Sequence, residues 1–297
     1  MADRRPLGAR IAHGIEGAGA LLVFWLFRLL PVEWASAAGG FLARSLGPRV
    51  AISRRARKNL KAALPALDDA AIERTIRGMW DNLGRVVGEY AHLSAYRVYE
   101  PGGRIEIVGA ENIRAQGADG KRAIFFSGHF GNWEVATLAV TQAGLEVAEI
   151  YRAANNPLVD RIINDARSVV GSELVPKGAV AARRALAAMQ EHRHIAMLVD
   201  QKMNDGIAVP FFGRLAMTAP ALARLALRYD CAVVPVRVDR LPHARFRITA
   251  EPPLHYQRTG NAERDTLALM TQVNQVLERW IREKPDHWFW LHRRWPE

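Results

Sequence analysis

Cysteine is nearly absent from this sequence, which has one among its 297 residues. A single cysteine excludes an internal disulfide, and Cys231 stands in an apolar run that predicts a buried strand residue. The sequence also lacks H-E-x-x-H and paired-cysteine spacings, so we predict no metal site. Glycine-rich phosphate loops and a G-x-S-x-G elbow are missing too. We therefore predict no nucleotide cofactor and no serine nucleophile.

Acidic residues are fewer than basic ones. The 30 Asp and Glu residues against 41 Lys and Arg residues give a formal net charge of +11. A chain with this charge attracts anionic partners. A nucleic acid, an anionic membrane surface and an acidic carrier protein all fit, and composition alone does not choose among them.

No uncharged apolar run reaches the ~18 residues that indicate a transmembrane helix. The apolar segment 17–27 is followed by Arg28 and, after a short apolar stretch, by Glu33. We predict a single membrane anchor or a pair of interfacial helices, with Arg28 reaching toward lipid headgroups. Two other interpretations stay open. The segment is a core helix of a soluble domain, or it is a signal peptide, since residues 35–37 resemble an A-x-A cleavage site.

A run of basic residues follows this segment without an intervening acid. Beside an anchor, such a run favours the cytoplasmic side and anionic headgroups, although a solvated helix face is an equal alternative. After Asp68, a predicted N-cap, apolar residues at helical spacing predict a long amphipathic helix up to Tyr90. The basic residues are Arg49, Arg54, Arg55, Arg57, Lys58 and Lys61.

Beyond Pro101-Gly-Gly103 the pattern changes to alternating strands and helices, which predicts an α/β sandwich around a mostly parallel sheet. We predict three parts: a membrane anchor at 1–47, a helical leader at 48–100 and an α/β domain at 101–297. The predicted strands are 105–108, 123–126, 145–150, 195–199, 232–238 and 246–250. The predicted helices are 131–143, 157–170, 178–191 and 217–229.

The stretch 124–134, Ile-Phe-Phe-Ser-Gly-His-Phe-Gly-Asn-Trp-Glu, joins a buried strand to a helix through a polar turn. His129 stands on the turn, Asn132 can cap the helix, and Glu134 falls in the first helical turn. A carboxylate that accepts from one imidazole nitrogen makes the other nitrogen a base, so we predict a His129–Glu134 dyad. The Gly131 amide is predicted to face an oxyanion. Alternatively, His129 is an ordinary turn residue and Glu134 a favourable first-turn charge.

Charged residues also follow two other predicted strands, Arg152 after 145–150 and Asp200 after 195–199. Ligands of open α/β sheets bind where strands end. Arg152 is therefore a candidate for binding a phosphate or carboxylate, and Asp200 for orienting Arg152 or a substrate hydroxyl. Arg214, in Pro-Phe-Phe-Gly-Arg, is a candidate for phosphate or carrier contact. A surface salt bridge for Arg152 and a loop cap for Asp200 are the alternatives.

The spacing H-x-x-x-x-E in Gly-His-Phe-Gly-Asn-Trp-Glu resembles the signature of the late acyltransferases of lipid A biosynthesis. These lauroyl and myristoyl transferases belong to the glycerolipid acyltransferase superfamily. Further motifs appear in the family's order: Tyr151-Arg152, Asn-Pro-Leu at 156–158, Asp200-Gln201, Pro-Phe-Phe-Gly at 210–213 and Trp-Phe-Trp-Leu-His-Arg-Arg-Trp at 288–295. We interpret 288–295 either as an aromatic and basic clamp or as a strand whose tryptophans pack on the core. The Phe-Pro-Glu-Gly block of the glycerol-phosphate acyltransferases is absent.

The resemblance implies transfer of a fatty acyl group from acyl carrier protein to a hydroxyl of a lipid A precursor. The expected place is the cytoplasmic face of the inner membrane of a Gram-negative cell, at an anionic surface and without nucleic acid. Catalysis by His129 and Glu134 would need no acyl-enzyme, and Asn132, Arg152, Asp200 and Arg214 are the expected substrate contacts. Open alternatives are acyl-CoA as donor, another lipid acceptor, a thioester or ester hydrolase, and a non-catalytic binding protein. The motifs do not encode acyl chain length.

Overall fold

A computed structural model describes residues 7–118 and 120–295 of the chain. Seven strands form one sheet in the order β1-β9-β8-β2-β5-β3-β4, with a separate hairpin of β6 and β7. Within the sheet β8 and β9 are antiparallel and the other neighbours are parallel, which confirms the predicted α/β fold. The strands are β1 Ile105–Val108, β2 Ala123–Ser127, β3 Val147–Tyr151, β4 Glu173–Pro176, β5 His194–Leu198, β6 Lys202–Phe211, β7 Arg214–Thr218, β8 Ala232–Leu241 and β9 Arg245–Ala250.

The α-helices cover both faces of the sheet and build a leader before it. They are α1 Leu7–Arg28, α2 Val32–Leu46, α3 Ser53–Ala63, α4 Asp69–Tyr90, α5 Ala110–Ala118, α6 Ala136–Thr141, α7 Pro157–Arg167, α8 Ala179–Gln190, α9 Ala221–Tyr229 and α10 Ala262–Glu283. Every residue of β2 is buried, as expected for a central strand of a parallel sheet that is covered on both sides. Its parallel neighbours are β5 and β8, so β2 and β5 end at the same edge.

Some elements differ from the prediction. β6 begins with four exposed residues, 202–205, and so shows no apolar alternation there. β4 has four residues and ends on Pro176, too short for a strand signal. In contrast, α10 carries Leu269, Val273 and Leu277 at helical spacing, a signal that the prediction overlooked.

The leader helices pack closely on one another. The Asp68 side chain accepts from the Ala71 N–H at 2.6 Å, which confirms the predicted N-cap of α4. α2 lies along α4 where small residues meet, and a Cβ on Gly39 would collide with the carbonyl of Gly84. Part of the basic run pairs with α4, since Arg57 binds Glu73. The division of the chain into three parts stays a prediction.

Among the described residues, one helix, Arg10–Arg28, is long and apolar enough to cross a bilayer by length and composition. Arg28, which we predicted to reach toward lipid headgroups, is exposed, and its Nη1 donates to the Ala91 carbonyl at 2.7 Å. A contact with headgroups stays a prediction. Asn156 Nδ2 donates to the His13 carbonyl and to Glu16 Oε2, both at 2.9 Å. These contacts dock α1 onto the ends of α4 and α7.

Cys231 is buried immediately before β8, and burial raises the pKa of its thiol to about 12. A thiol with this pKa is inert at neutral pH.

Candidate active site

The structure contains the predicted strand–turn–helix. β2 ends at Ser127, and the chain turns through 128–132 before a short 3-10 helix leads into α6. Gly131 has φ +57°, and a Cβ there would collide with the carbonyl oxygen of Val238. Only glycine fits this backbone. The turn brings His129 to the carboxyl edge of the sheet, where ligands of α/β folds bind.

The carboxylate that contacts His129 belongs to Asp200, which follows the neighbouring strand β5. His129 Nδ1 lies 2.7 Å from Asp200 Oδ1, and the His129 backbone N–H donates to Oδ2 at 2.7 Å. The indole N–H of Trp288 donates to the same Oδ2 at 2.8 Å. Asp200 is fully buried, so these three donors replace its water shell. We predicted that Asp200 would orient Arg152 or a substrate hydroxyl, whereas in the structure Asp200 is hydrogen-bonded to His129.

The charge of Asp200 determines the tautomer of His129. Burial alone would raise the pKa of Asp200, but His129 holds this pKa well below its usual range, through its positive charge when the ring is protonated and through its hydrogen bonds. An ionised carboxylate only accepts hydrogen bonds, so Nδ1 of His129 must carry the proton. Nε2 is then left unprotonated in the neutral ring and is available as a base. The amide nitrogen of Gln201 lies 3.3 Å from this atom and donates to it, so a substrate proton donor takes the place of this hydrogen bond.

Glu134 does not contact His129, which corrects the predicted dyad. Its carboxylate accepts from Arg167 Nε and Nη2, both at 2.6 Å, from Trp133 Nε1 at 2.7 Å and from the Tyr90 hydroxyl. Burial opposes the charge of Glu134, but the Arg167 guanidinium lowers the pKa of this carboxyl below its usual value. Glu134 binds Arg167 instead of His129 because it is buried. A buried carboxylate needs a cation, and α7 supplies one in bidentate geometry.

Trp133 contacts both His129 and Glu134. Its ring centroid lies 5.0 Å from that of His129, while its indole N–H binds Glu134. Glu134 and Arg167 therefore position Trp133, which packs against His129, and do not hydrogen-bond to His129 itself.

The polar groups of the turn are also occupied, unlike in our prediction. The Gly131 N–H, expected to face an oxyanion, donates to the His287 carbonyl at 3.0 Å. Asn132 is fully buried. Its Nδ2 donates to Glu89 at 2.8 Å, and its Oδ1 accepts from the Glu134 N–H as the predicted cap. The C-terminal segment covers the turn, and buried backbone and amide groups must then pair inside the protein.

The segment 288–295 forms part of the site, and its tryptophans are core residues without a regular strand. The Phe289 N–H donates to the His129 carbonyl at 3.1 Å, and Trp288 forms an isolated bridge with Phe130. The ring centroid of His292 lies 4.8 Å from that of His129. Burial and the nearby charge of His129 lower the pKa of His292 to about 3, so its ring is neutral.

Helix α3 of the leader is hydrogen-bonded to the segment 288–295. Asn59 on α3 donates to the Trp290 carbonyl at 3.0 Å and to the His292 carbonyl at 2.9 Å. The roles of His292, Trp288 and Gln201 were missed from the sequence. The motifs that contain them were visible, but their distance from His129 along the chain hid the contacts.

The two arginines predicted to bind substrate lie in different places. Arg152 is exposed at the end of β3, the strand beside β5, and thus on the same sheet edge as Asp200. Arg214 stands at the start of β7, with its guanidinium carbon 5.2 Å from the Trp295 ring centroid. Arg214 thus makes a cation–π contact with the C-terminal segment.

Three side chains of the site offer ligand atoms to a cation. One atom each of His129, Asp200 and His292 lies within 4.8 Å of the others. Such a donor set suits a transition metal such as zinc. An ion bound there would have to displace the hydrogen bond between His129 and Asp200. The expectation of no metal site stays a prediction.

Comparison with known proteins gives one family. The family model described as bacterial lipid A biosynthesis acyltransferase matches residues 17–297 of this chain. A search of curated proteins finds no match.

Proposed function

The chain belongs to the family of bacterial lipid A biosynthesis acyltransferases, and from this we propose that His129 catalyses transfer of a fatty acyl group from acyl carrier protein to a hydroxyl of a lipid A precursor. The observation that carries the proposal is the 2.7 Å hydrogen bond between His129 Nδ1 and Asp200. It leaves Nε2 as a base at the sheet edge where a substrate can bind.

In the proposed reaction Nε2 of His129 takes the proton of the acceptor hydroxyl. The hydroxyl oxygen attacks the thioester carbonyl carbon, and the electron pair of the carbonyl bond moves to its oxygen. When the carbonyl re-forms, the carbon–sulfur bond breaks and the thiolate takes the proton from Nε2. The products are an ester and a thiol, without an acyl-enzyme. Asp200 stabilises the imidazolium during the step.

The reaction also needs a hydrogen-bond donor for the negative oxygen that forms on the thioester carbonyl. The Gly131 N–H is already bound to the His287 carbonyl. The Gln201 amide nitrogen lies 3.3 Å from His129 Nε2, and its second N–H is not used by this contact. We assign oxyanion stabilisation to this side chain, because a fixed donor near developing charge lowers the barrier.

A cavity beside the site suits a lipid chain. It has a volume of about 220 Å³ and lies between α1, α4 and α7. Tyr90 on its wall bonds to Glu134, and Trp133 contacts both Glu134 and His129, so these side chains connect the cavity wall to the base. Its lining is almost entirely apolar, as a fatty chain requires. The lining residues are Ala20, Val23, Phe24, Val87, Tyr90, Val159, Ile162 and Ile163.

The N-terminal helices support membrane binding. Small residues of α2, including Ala35 and Gly39, are buried on α4, whereas a stripe of large apolar residues faces outward. Trp34 on this stripe is 70% exposed. An exposed apolar stripe of this size beside basic residues is typical of a helix that lies in an anionic membrane surface. We place the protein at the cytoplasmic face of the inner membrane. The stripe consists of Trp34, Phe41, Leu42 and Leu46.

The test is mass spectrometry of lipid products. Purified full-length protein is incubated with a lipid A precursor and acyl carrier protein loaded with laurate or myristate. We expect a mass gain of one acyl chain, lost in His129→Ala and retained in His255→Ala, which removes an exposed histidine. Free fatty acid without acylated lipid would identify a hydrolase instead, and full activity in His129→Ala would refute the base.

A further inference from the structure

Two cations stand side by side next to the His129–Asp200 pair. β3 and β4 are parallel neighbours with Tyr151 opposite Pro176, so Arg152 and Lys177 are the next residues on adjacent strands. The Lys177 N–H donates to the Tyr151 carbonyl at 2.7 Å, which fixes this register at the strand ends. Adjacent strands lie ~4.8 Å apart, so the two backbones are within reach of one small ligand.

Among the residues that the structure describes, Arg152 and Lys177 make no ion pair and no side-chain hydrogen bond, and both are exposed. Two acids on β3 and α7 bind other groups. Glu149 accepts from the Ser172 hydroxyl at 2.8 Å, and Asp160 accepts from the Ala154 N–H at 2.8 Å. Asp200, the acid whose charge acts on Lys177, is hydrogen-bonded to His129 and not to either cation. The repulsion between the two like charges is therefore not offset by an ion pair, and an anion between them removes it.

Their position links them to the reaction. The sheet order β2-β5-β3-β4 places His129, Asp200, Arg152 and Lys177 on successive strand ends at one edge. Arg152 is one strand away from Asp200, and Lys177 is two strands away. Although Lys177 is exposed, the protein around its side chain removes part of its water shell and lowers its pKa. The charge of Asp200 opposes this shift and that of Arg152 adds to it, so the three groups sense one another.

We propose that Arg152 and Lys177 form a binding site for a phosphate group carried by a substrate, which sets the position of that substrate against His129. The proposal rests on the proposed acyl transfer for the identity of the substrates. Arginine offers a planar fork of N–H donors to phosphate oxygens, and lysine adds a point charge. Two sources carry this chemistry, the phosphorylated lipid acceptor and the phosphopantetheine arm of the carrier protein.

Binding measured without turnover tests the site separately from the reaction. Full-length protein is titrated with a phosphorylated lipid A precursor and its dephosphorylated form, in the absence of acyl donor. For the double variant R152Q/K177Q we expect at least ~10²-fold weaker binding of the phosphorylated form, about tenfold for each charge-assisted contact. The dephosphorylated form should bind both proteins equally. Arg152→Lys should recover part of the affinity.

The control is Arg264→Gln, which removes one exposed charge near the start of α10. A second arm compares KM for acyl carrier protein with KM for a short acyl thioester without phosphate. A loss confined to the carrier assigns the site to the donor's phosphate, and a loss confined to the phosphorylated lipid assigns it to the acceptor. Equal losses with and without phosphate, or no loss, overturn the proposal, while acyl transfer itself would still stand.

Discussion

Replacing Asp200 with asparagine should invert the tautomer of His129. Asp200 Oδ2 accepts from two fixed donors, the His129 backbone N–H and the Trp288 indole, while Oδ1 accepts from Nδ1 of His129. In Asp200→Asn the amide oxygen is drawn to the two fixed donors. The NH₂ group then faces Nδ1 and donates to it. The proton of the imidazole must move to Nε2, the atom that has to accept the substrate proton.

The size of the effect follows from what is lost. A histidine in the wrong tautomer loses its function as general base, which contributes ~10²–10⁴ to rate. The imidazolium also loses its carboxylate, and a comparable aspartate-to-asparagine change in a serine-protease triad costs ~10⁴ in kcat. We therefore expect kcat to fall by ~10³ in Asp200→Asn. KM should change little, because Asp200 is buried and does not contact solvent.

Initial rates of acylated lipid formation at saturating carrier protein measure this loss. Near-UV circular dichroism shows whether the variant keeps its tertiary packing. Glu134→Gln is the matched control, since it makes the same chemical change at the carboxylate that we first predicted to orient His129. A folded Asp200→Asn variant with normal kcat would refute the dyad. A larger loss of kcat in a stably folded Glu134→Gln variant would restore Glu134 as the partner of His129.

Further predictions concern stability and membrane binding. Glu134→Gln should destabilise the protein by about 3–5 kcal/mol, measured by urea unfolding, because it removes the carboxylate that pairs with the buried Arg167; a change below 1 kcal/mol would contradict this. The folded pKa of Glu134 lies below its unfolded value, so its contribution to stability is present at neutral pH and is lost as the pH falls below about 4. Glu134→Gln should therefore show a smaller loss of stability than the native protein over this acidic range. Gly131→Ala should lower the melting temperature, whereas Gly144→Ala, at a positive φ with open space around it, should lower it less. Trp34→Glu should weaken binding to anionic vesicles in sedimentation, and unchanged binding would exclude α2 from the interface.

The sequence predicts the parts of the site that are local along the chain. The apolar run of β2, the polar turn and the cap at Asn132 are within ten residues, so their order specifies a strand–turn–helix with His129 on the turn. The ends of parallel strands meet at one edge, and this rule correctly assigns Arg152 and Asp200 to the same side as His129. These inferences need only secondary structure and sheet type.

The pairing of side chains could not be predicted in the same way. His129 and Asp200 are separated by 71 residues, and their contact depends on β5 being the neighbour of β2. Glu134 is close to His129 in sequence, but the 3-10 turn directs it toward Arg167 on α7. Strand order and side-chain direction come from tertiary packing, which spacing along the chain does not record.

The tautomer of His129 can be detected directly by ¹⁵N NMR of protein labelled at histidine, with His129→Ala used to assign the signals. In the neutral ring, reached by raising the pH until the ¹⁵N shifts stop changing, we predict that Nδ1 carries the proton and Nε2 does not, and that Asp200→Asn reverses the two. A neutral ring protonated at Nε2 in the native protein, or a tautomer that changes in Glu134→Gln and not in Asp200→Asn, would contradict His129 and Asp200 as the catalytic pair.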